Sequence, residues 1–216
     1  MRIGVLGTGM VGHALASRLV ETGHDVVMES RDAANEKAAA WVASQPERAA
    51  AGTFATAAAH GEVVLNATGG AVSLDVLRLA GAENLAGKVL IDVSNPMKPD
   101  VGFPPQLDPV GDDSLAERIQ REFPTARVVK TLNTMNCNVM ADPSLVPGEH
   151  DVFMAGEDAA AKEIVRGLLG GFGWPDSSIR EVGGIVAARG LEMYLIFWIG
   201  LRVSLGHNAF NIRVVT

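Results

Sequence analysis

A single cysteine, Cys137, among 216 residues excludes an intramolecular disulfide and suits a reducing compartment. Basic residues are also in deficit. Eighteen Lys and Arg stand against 25 Asp and Glu, giving a net charge of −7, and no basic run occurs. Duplex nucleic acid is therefore disfavoured as a partner, because phosphate neutralisation dominates such affinity. The five histidines, His13, His24, His60, His150 and His207, form no ligand-spaced pair with one another or with Cys137, so no metal site is expected. In the apolar segment LEMYLIFWIGL only nine uncharged residues separate Glu192 from Arg202, far short of the roughly 20 needed to span a bilayer. No charged leader with an apolar core and a cleavage site precedes the first apolar run, so a cytoplasmic location is the expectation.

What the chain does have is concentrated at its start. Hydrophobic residues make up 48%, enough for one sizeable core or a domain with an appendage. Arg2 to Leu6 is a short apolar run suited to a buried parallel strand. Gly7-Thr8-Gly9-Met10-Val11-Gly12 follows and fits G-x-G-x-x-G. In that pattern the first glycine allows a tight turn, the second lets a pyrophosphate approach the backbone, and the third lets the helix sit close to the strand. Val11, Leu15 and Leu19 give the next segment an apolar helical face, and its free N–H groups and positive dipole end favour a phosphate. Gly23 ends the helix and Asp25 to Met28 supply a second strand. A strand before the motif, a helix opened by it and a strand after it form the context that makes it a dinucleotide signature.

The end of that second strand selects the dinucleotide. An NAD site places a carboxylate there for the ribose 2′-OH, and such a carboxylate would repel a 2′-phosphate. Here the position is Ser30, followed by Arg31, whose guanidinium can fork onto phosphate oxygens; Glu29, by strand alternation, faces away. NADP is the expected ligand.

Ala33 to Ala51 reads as a second helix interrupted near Pro46, Gly52 to Phe54 as a short strand, and the next alanine-rich stretch as a small helix ending at His60. Glu62 to Ala67 is a strand leaving through Thr68-Gly69, and Lys88 to Val93 another leaving through Ser94-Asn95-Pro96. Ligands of open parallel sheets gather beyond such carboxyl ends, which places Thr68 and Gly69 near the dinucleotide. Asn95 reads equally as a donor to the nicotinamide ribose or as the cap of its own turn. Val72, Val76 and Leu79 form the expected buried stripe of the intervening helix. Met97 to Asp112, with four prolines, is a long irregular loop of the kind that forms lids or binding walls. Ser114 to Glu117 matches a capping box, and Arg127 to Lys130 is a sixth strand.

Three asparagines then fall within Asn133-Thr134-Met135-Asn136-Cys137-Asn138, a segment costly to bury unless its amides are paired. A planar heterocycle with carbonyl and ring N–H groups would pair them. Cys137 has no neighbouring His in sequence to form its thiolate and reads as a small wall residue. Lys130 and Tyr194 are the few candidate proton donors, with Lys130 read as structural. Asp151 to Ala155 is a further strand, and Ile164, Val165, Leu168 and Leu169 are the buried face of the helix after it. Gly183 to Gly206 is a long helical pattern, apolar on nearly all faces, which points to a subunit interface and a homodimer. Asn208 to Val215 is a candidate closing strand.

The strand and helix alternation predicts an α/β fold, a doubly wound parallel sheet of Rossmann type with a small C-terminal helical extension. Residues 1–150 would be the NADP-binding domain and 151–216 a strand and helix extension packed on it.

The segments LGTGMVG, Ser30-Arg31, VVKTLNT, VFMAGEDAAAKEIV and GG-x-x-AARGLE, in this order, resemble the F420-dependent NADP oxidoreductases. The resemblance implies that Thr8 to Val11 contact the pyrophosphate and that Ser30 and Arg31 hold the 2′-phosphate. It further implies that Thr68, Gly69, Asn95 and Pro96 line the nicotinamide side, and that Asn133 to Cys137 back a deazaflavin ring. Glu29, Asn136 and Cys137 depart from the residues usual in that family.

The activity expected is hydride transfer between NADP(H) and a planar small molecule, coenzyme F420 foremost, with no catalytic acid, base or nucleophile required because the cofactor carries the chemistry. An NADPH-dependent flavin or imine reductase and a non-catalytic NADP-sensing module are the alternatives.

Overall fold

The first strand forms where its apolar run predicts. In the computed structural model, which describes residues 1–30, 36–45 and 47–215, Arg2–Leu6 is β1 and is buried from Ile3 onward. Met10–Glu21 is α1 and Asp25–Ser30 is β2. Helix α2 covers Glu36–Ser44, and β3 covers Ala49–Thr53. The expected helix to Ala51 is thus too long. Ala49 to Ala51 pair with Val26 to Met28 of β2, so ladder formation at a sheet edge overrides the helical preference of alanine. The expected strand at Gly52 to Phe54 shifts accordingly. Thr53 ends β3 and its hydroxyl accepts from Thr56 N to cap α3, Phe54–His60.

Val63–Asn66 is β4, Ser73–Ala80 is α4, Ala82–Leu85 is α5 and Val89–Asp92 is β5. The stripe expected on α4 is wrong in two of three positions. Val72 and Leu79 are 49% and 59% exposed, whereas Ser73, Val76, Leu77 and Ala80 are buried. A 3-10 turn at Gly70–Val72 delays the helix start, and positions 73, 76, 77 and 80 become the inward face. The chain continues through the proline-rich loop to α6, Leu115–Glu122, and β6, Arg127–Thr131. The capping box differs in detail. The Ser114 hydroxyl accepts from Glu117 N and donates to the Glu117 carboxylate, while Ser114 N is taken by Asp113.

Cys137–Ala141 is α7, Val152–Ala155 is β7 and Ala159–Phe172 is α8, capped by Asp158. Ile179–Gly183 is β8, a strand not expected from the sequence, and Ala188–Leu205 is α9. Among the described residues strand β8 pairs only with β7, at the sheet edge, so its IREVG pattern never needed a continuous apolar run. The candidate closing strand at Asn208 to Val215 joins no ladder. It is fastened instead by Asp151, whose N–H donates to the Ile212 carbonyl and whose carboxylate accepts from Val214 N.

The sheet order is β3-β2-β1-β4-β5-β6-β7-β8, parallel from β3 to β6, with β7 antiparallel to β6 and β8 parallel to β7. Strand side chains alternate between two helical layers. Ile3, Val5, Met28, Leu65 and Ile91 join Leu15, Leu19, Trp41, Val165 and Leu169 on one face. Leu6, Val27, Val64, Leu90 and Val128 join Phe54, Leu77 and Ile119 on the other. This arrangement leaves the carboxyl ends of β1, β4, β5 and β6 side by side.

Candidate functional site

The glycine turn is built by three distinct constraints. Gly7 has φ of 116°, in the left-handed region, and its N–H donates to the Glu29 carbonyl at 3.0 Å. A Cβ on Gly12 would lie 2.0 Å from the Gly7 carbonyl oxygen, so the third glycine is needed to seat α1 against the turn. Gly9 is different: among the described residues a Cβ there would meet no atom within 4 Å. Gly9 is also the N-cap of α1 and provides no side-chain cap, which leaves the first N–H groups of the helix for an incoming acceptor.

Close approaches extend the site along the sheet edge. A Cβ on Gly7 would fall 2.8 Å from the Ala67 carbonyl oxygen, and one on Gly70 would fall 2.2 Å from that of Asn95. The segment from Ala67 to Gly70 therefore bridges the glycine turn and Asn95-Pro96. Asn95 in turn meets Asn133. The Asn95 amide donates to the Asn133 carbonyl at 2.8 Å, and the Asn133 amide donates to Asn95 Oδ1 and to the Leu191 carbonyl, each at 2.9 Å. Gly7, Thr68, Gly69, Asn95, Pro96 and Asn133, far apart in the chain, thus follow one another along one edge.

The asparagine-rich segment differs from its expected state. Asn133 is tied to Asn95 and α9, and Asn136 caps α7 by accepting from Asn138 N at 3.0 Å. Protein groups pair these amides. Met135 is buried with Leu132 and Val139 in the core. Two polar atoms at this edge lack a partner among the described residues, Asn133 Oδ1 and Thr134 Oγ1, each on a residue 2% exposed. Cys137 is half-buried, and burial pushes its thiol above the ordinary range, in keeping with a wall residue. Its labelling by a thiol reagent near pH 8 is expected to be slower than that of free cysteine; equal or faster labelling would mark an activated thiolate.

Ser30 closes β2, directly after Glu29, which is fully buried. The Ser30 side chain and Arg31 lie outside the described residues. Among the described residues no group of three or more His, Cys, Asp or Glu is placed to hold a metal, and no helix is long and apolar enough to cross a membrane.

Directly beneath the edge lies a set of polar residues that sequence reasoning did not assemble. Lys130 is fully buried, and its Nζ donates to Asp92 Oδ2 at 2.7 Å and to the Ser94 carbonyl at 2.5 Å. The Glu192 carboxylate of α9 stands 3.0 Å from the same ammonium. Burial pulls the ammonium down, but the Asp92 and Glu192 carboxylates together outweigh it and hold it above the ordinary lysine range. Tyr194, the other candidate donor, is half-buried with its hydroxyl lacking a partner among the described residues, and burial pushes it up.

A family model described as NADP oxidoreductase, coenzyme F420-dependent, matches residues 2–96, the stretch from β1 through Asn95-Pro96. Over its whole length the chain is similar to the crystal structure of a presumptive F420-dependent NADP reductase from Arthrobacter sp. FB24. The two share 45% identity over 99% of each chain, with a TM-score of 0.93. The chain belongs to the F420-dependent NADP oxidoreductase family.

Two more distant likenesses surround this family membership. The metalloreductase STEAP3 of Rattus norvegicus is 30% identical over 192 residues, covering 88% of this chain and 36% of that protein, so the chain spans about a third of that relative's length. An imine reductase from Streptomyces aurantiacus matches at 20% identity over 95% of this chain and 65% of the other, with a TM-score of 0.65, a likeness of fold alone. In this member of the F420-dependent NADP oxidoreductase family, the family-matched stretch carries the glycine turn, Thr68-Gly69 and Asn95-Pro96. Asn133 to Cys137 lie beyond it, within the span shared with the Arthrobacter chain.

Proposed function

We propose that the chain transfers a hydride between NADP(H) and a planar acceptor, coenzyme F420. The carrying observation is the open approach at Gly9 beside the uncapped start of α1, at one end of the edge that runs through Thr68 and Asn95 to Asn133. Gly7, Thr8, Gly9, Met10, Val11 and Gly12 would hold the pyrophosphate through backbone N–H groups. Thr68, Gly69, Asn95, Pro96, Asn133 and Thr134 would line the nicotinamide, with Met135, Asn136 and Cys137 toward the acceptor. Asn133 Oδ1 and Thr134 Oγ1, without a partner among the described residues, fit a ligand that brings hydrogen-bonding groups to this edge. The bound dinucleotide supplies the hydride, and solvent the accompanying proton. The protein's task is to orient two rings and keep water from between them.

In this reading residues 1–150 are the dinucleotide unit and 151–216 its extension. The outer face of α9, where Phe197 and Val203 are 60% and 62% exposed, would join two copies. The protein would act in the cytoplasm.

NADPH absorbance followed with F420, FMN or no acceptor tests the activity. Oxidation only with F420 is expected; turnover with FMN alone, or none with either, would overturn the choice of acceptor or the enzyme reading respectively. Arg31→Ala should raise the KM for NADPH on the order of 10- to 100-fold, since a charge-assisted phosphate contact contributes about 1.5–3 kcal/mol. NADH use should stay nearly constant. Equal losses with both cofactors would show that Arg31 does not read the 2′-phosphate.

A further inference from the structure

Three loops carry the proposed nicotinamide contacts, those leaving β4, β5 and β6, and a polar network ties the first two to strand β6 from below. Thr68 Oγ1 donates to Asn66 Oδ1 at 2.7 Å, and Asn66 Nδ2 donates to Asp92 Oδ1 at 2.9 Å. Asp92 Oδ1 also accepts from Ser94 Oγ at 2.6 Å, and its other oxygen accepts from Lys130. The network does not stop at the sheet. Glu192 accepts from the first N–H groups of α6, Leu115 N at 2.8 Å and Ala116 N at 3.1 Å, while its carboxylate also faces Lys130. One ammonium therefore faces two carboxylates, and the remaining negative charge lies against the positive end of a helix.

A merely cohesive core would not need this. Apolar residues of similar volume hold elements together at least as well as a buried ion pair, which must first overcome desolvation. What an ammonium with three donors adds is direction. It fixes the Ser94 carbonyl at a set height, and Asn95 and Pro96 are the residues that come next. Gly70 lies against the same Asn95 carbonyl with no room for a Cβ, so a displacement of the β5 loop would be passed to the β4 loop as well.

We infer that Lys130 is a positioning residue for the nicotinamide half of the dinucleotide, acting through Asp92 and the Ser94 carbonyl to hold the β4 and β5 loops at their relative height. The inference rests on the reading of this edge as a nicotinamide dinucleotide site. The adenosine and pyrophosphate portion, held by the glycine turn, lies outside its reach.

Calorimetric titration of the full chain with NADPH and with adenosine 2′,5′-bisphosphate, which lacks the nicotinamide, its ribose and the phosphate joined to that ribose, separates the two halves. The wild-type chain should bind NADPH more tightly than the bisphosphate. Lys130→Met should leave the bisphosphate Kd within about threefold and raise the NADPH Kd about tenfold or more, collapsing the ratio. An unchanged ratio, or an equal loss for both ligands as a loosened fold would give, overturns the proposal. If Lys130→Met does not fold, Glu192→Gln decides, since it keeps the side-chain length and an acceptor for Lys130 while losing one charge. It should lower the ratio by a smaller factor, and no change would overturn the proposal. If the wild-type chain binds neither ligand, the dinucleotide reading itself fails, and this one with it. Binding with an unaltered ratio removes only the role given to Lys130.

Discussion

Gly9→Ala should leave the thermal stability of the protein unchanged and weaken NADPH binding by about tenfold or more, a loss of roughly 1.4 kcal/mol or greater. Gly9 has ordinary extended backbone angles, φ −81° and ψ −177°, and among the described residues a Cβ there would touch no atom within 4 Å. Nothing among the described residues opposes the methyl group. The proposed pyrophosphate, which must come within hydrogen-bonding distance of the turn, does oppose it. Gly12→Ala provides the contrast. Its Cβ would lie 2.0 Å from the Gly7 carbonyl oxygen and 2.9 Å from the carbonyl carbon, both backbone atoms. Helix and turn would have to part, at a cost of about 1–3 kcal/mol, so here stability and binding fall together. Differential scanning calorimetry with NADPH titration reads both variants. Wild-type affinity in Gly9→Ala would place the dinucleotide elsewhere.

Lys130→Met should lower stability by about 3–5 kcal/mol, because it strands two buried carboxylates without their shared counter-charge. In a chain of this size that is a fall in Tm of roughly 6–20 °C. Lys130, Asp92 and Glu192 have side chains 0%, 0% and 2% exposed, so solvent cannot screen what is left. Adding Asp92→Asn and Glu192→Gln to Lys130→Met should recover part of the loss, since it removes the stranded charges. Urea unfolding of the wild-type chain, Lys130→Met, Asp92→Asn with Glu192→Gln, and the triple variant, analysed as a cycle, gives the coupling. A loss below about 1 kcal/mol for Lys130→Met alone would show that the ammonium does not support the cluster.

Local chemistry made much of this legible in advance. G-x-G-x-x-G between two strands called for glycines for reasons that act within a dozen residues, and Gly7 and Gly12 meet the turn and packing constraints assigned to them. The β4, β5 and β6 runs were short, apolar and bounded by turn residues, and they formed where expected. Errors arose where the deciding partner was distant. Ala49 to Ala51 became a strand because β2 offered a ladder, and Val72 and Leu79 turned outward because a 3-10 turn rotated the helix start. Strand β8 was missed because one-sided pairing at an edge asks little of its composition.

By itself the sequence determined the glycine turn, the alternation of strands and helices, and the family, because glycine spacing and hydrophobic period are properties of neighbouring residues. The three-dimensional fold alone decided that Asn95 and Asn133 clasp each other, and that Asp92, Lys130 and Glu192 share one buried site. Asp92 and Lys130 are separated by 38 positions, and Glu192 comes from a helix beyond the next two strands. No local pattern records such a meeting. It exists because parallel strands deliver their carboxyl ends to one edge, where a charge that looks solvated in the sequence becomes one that must be paired.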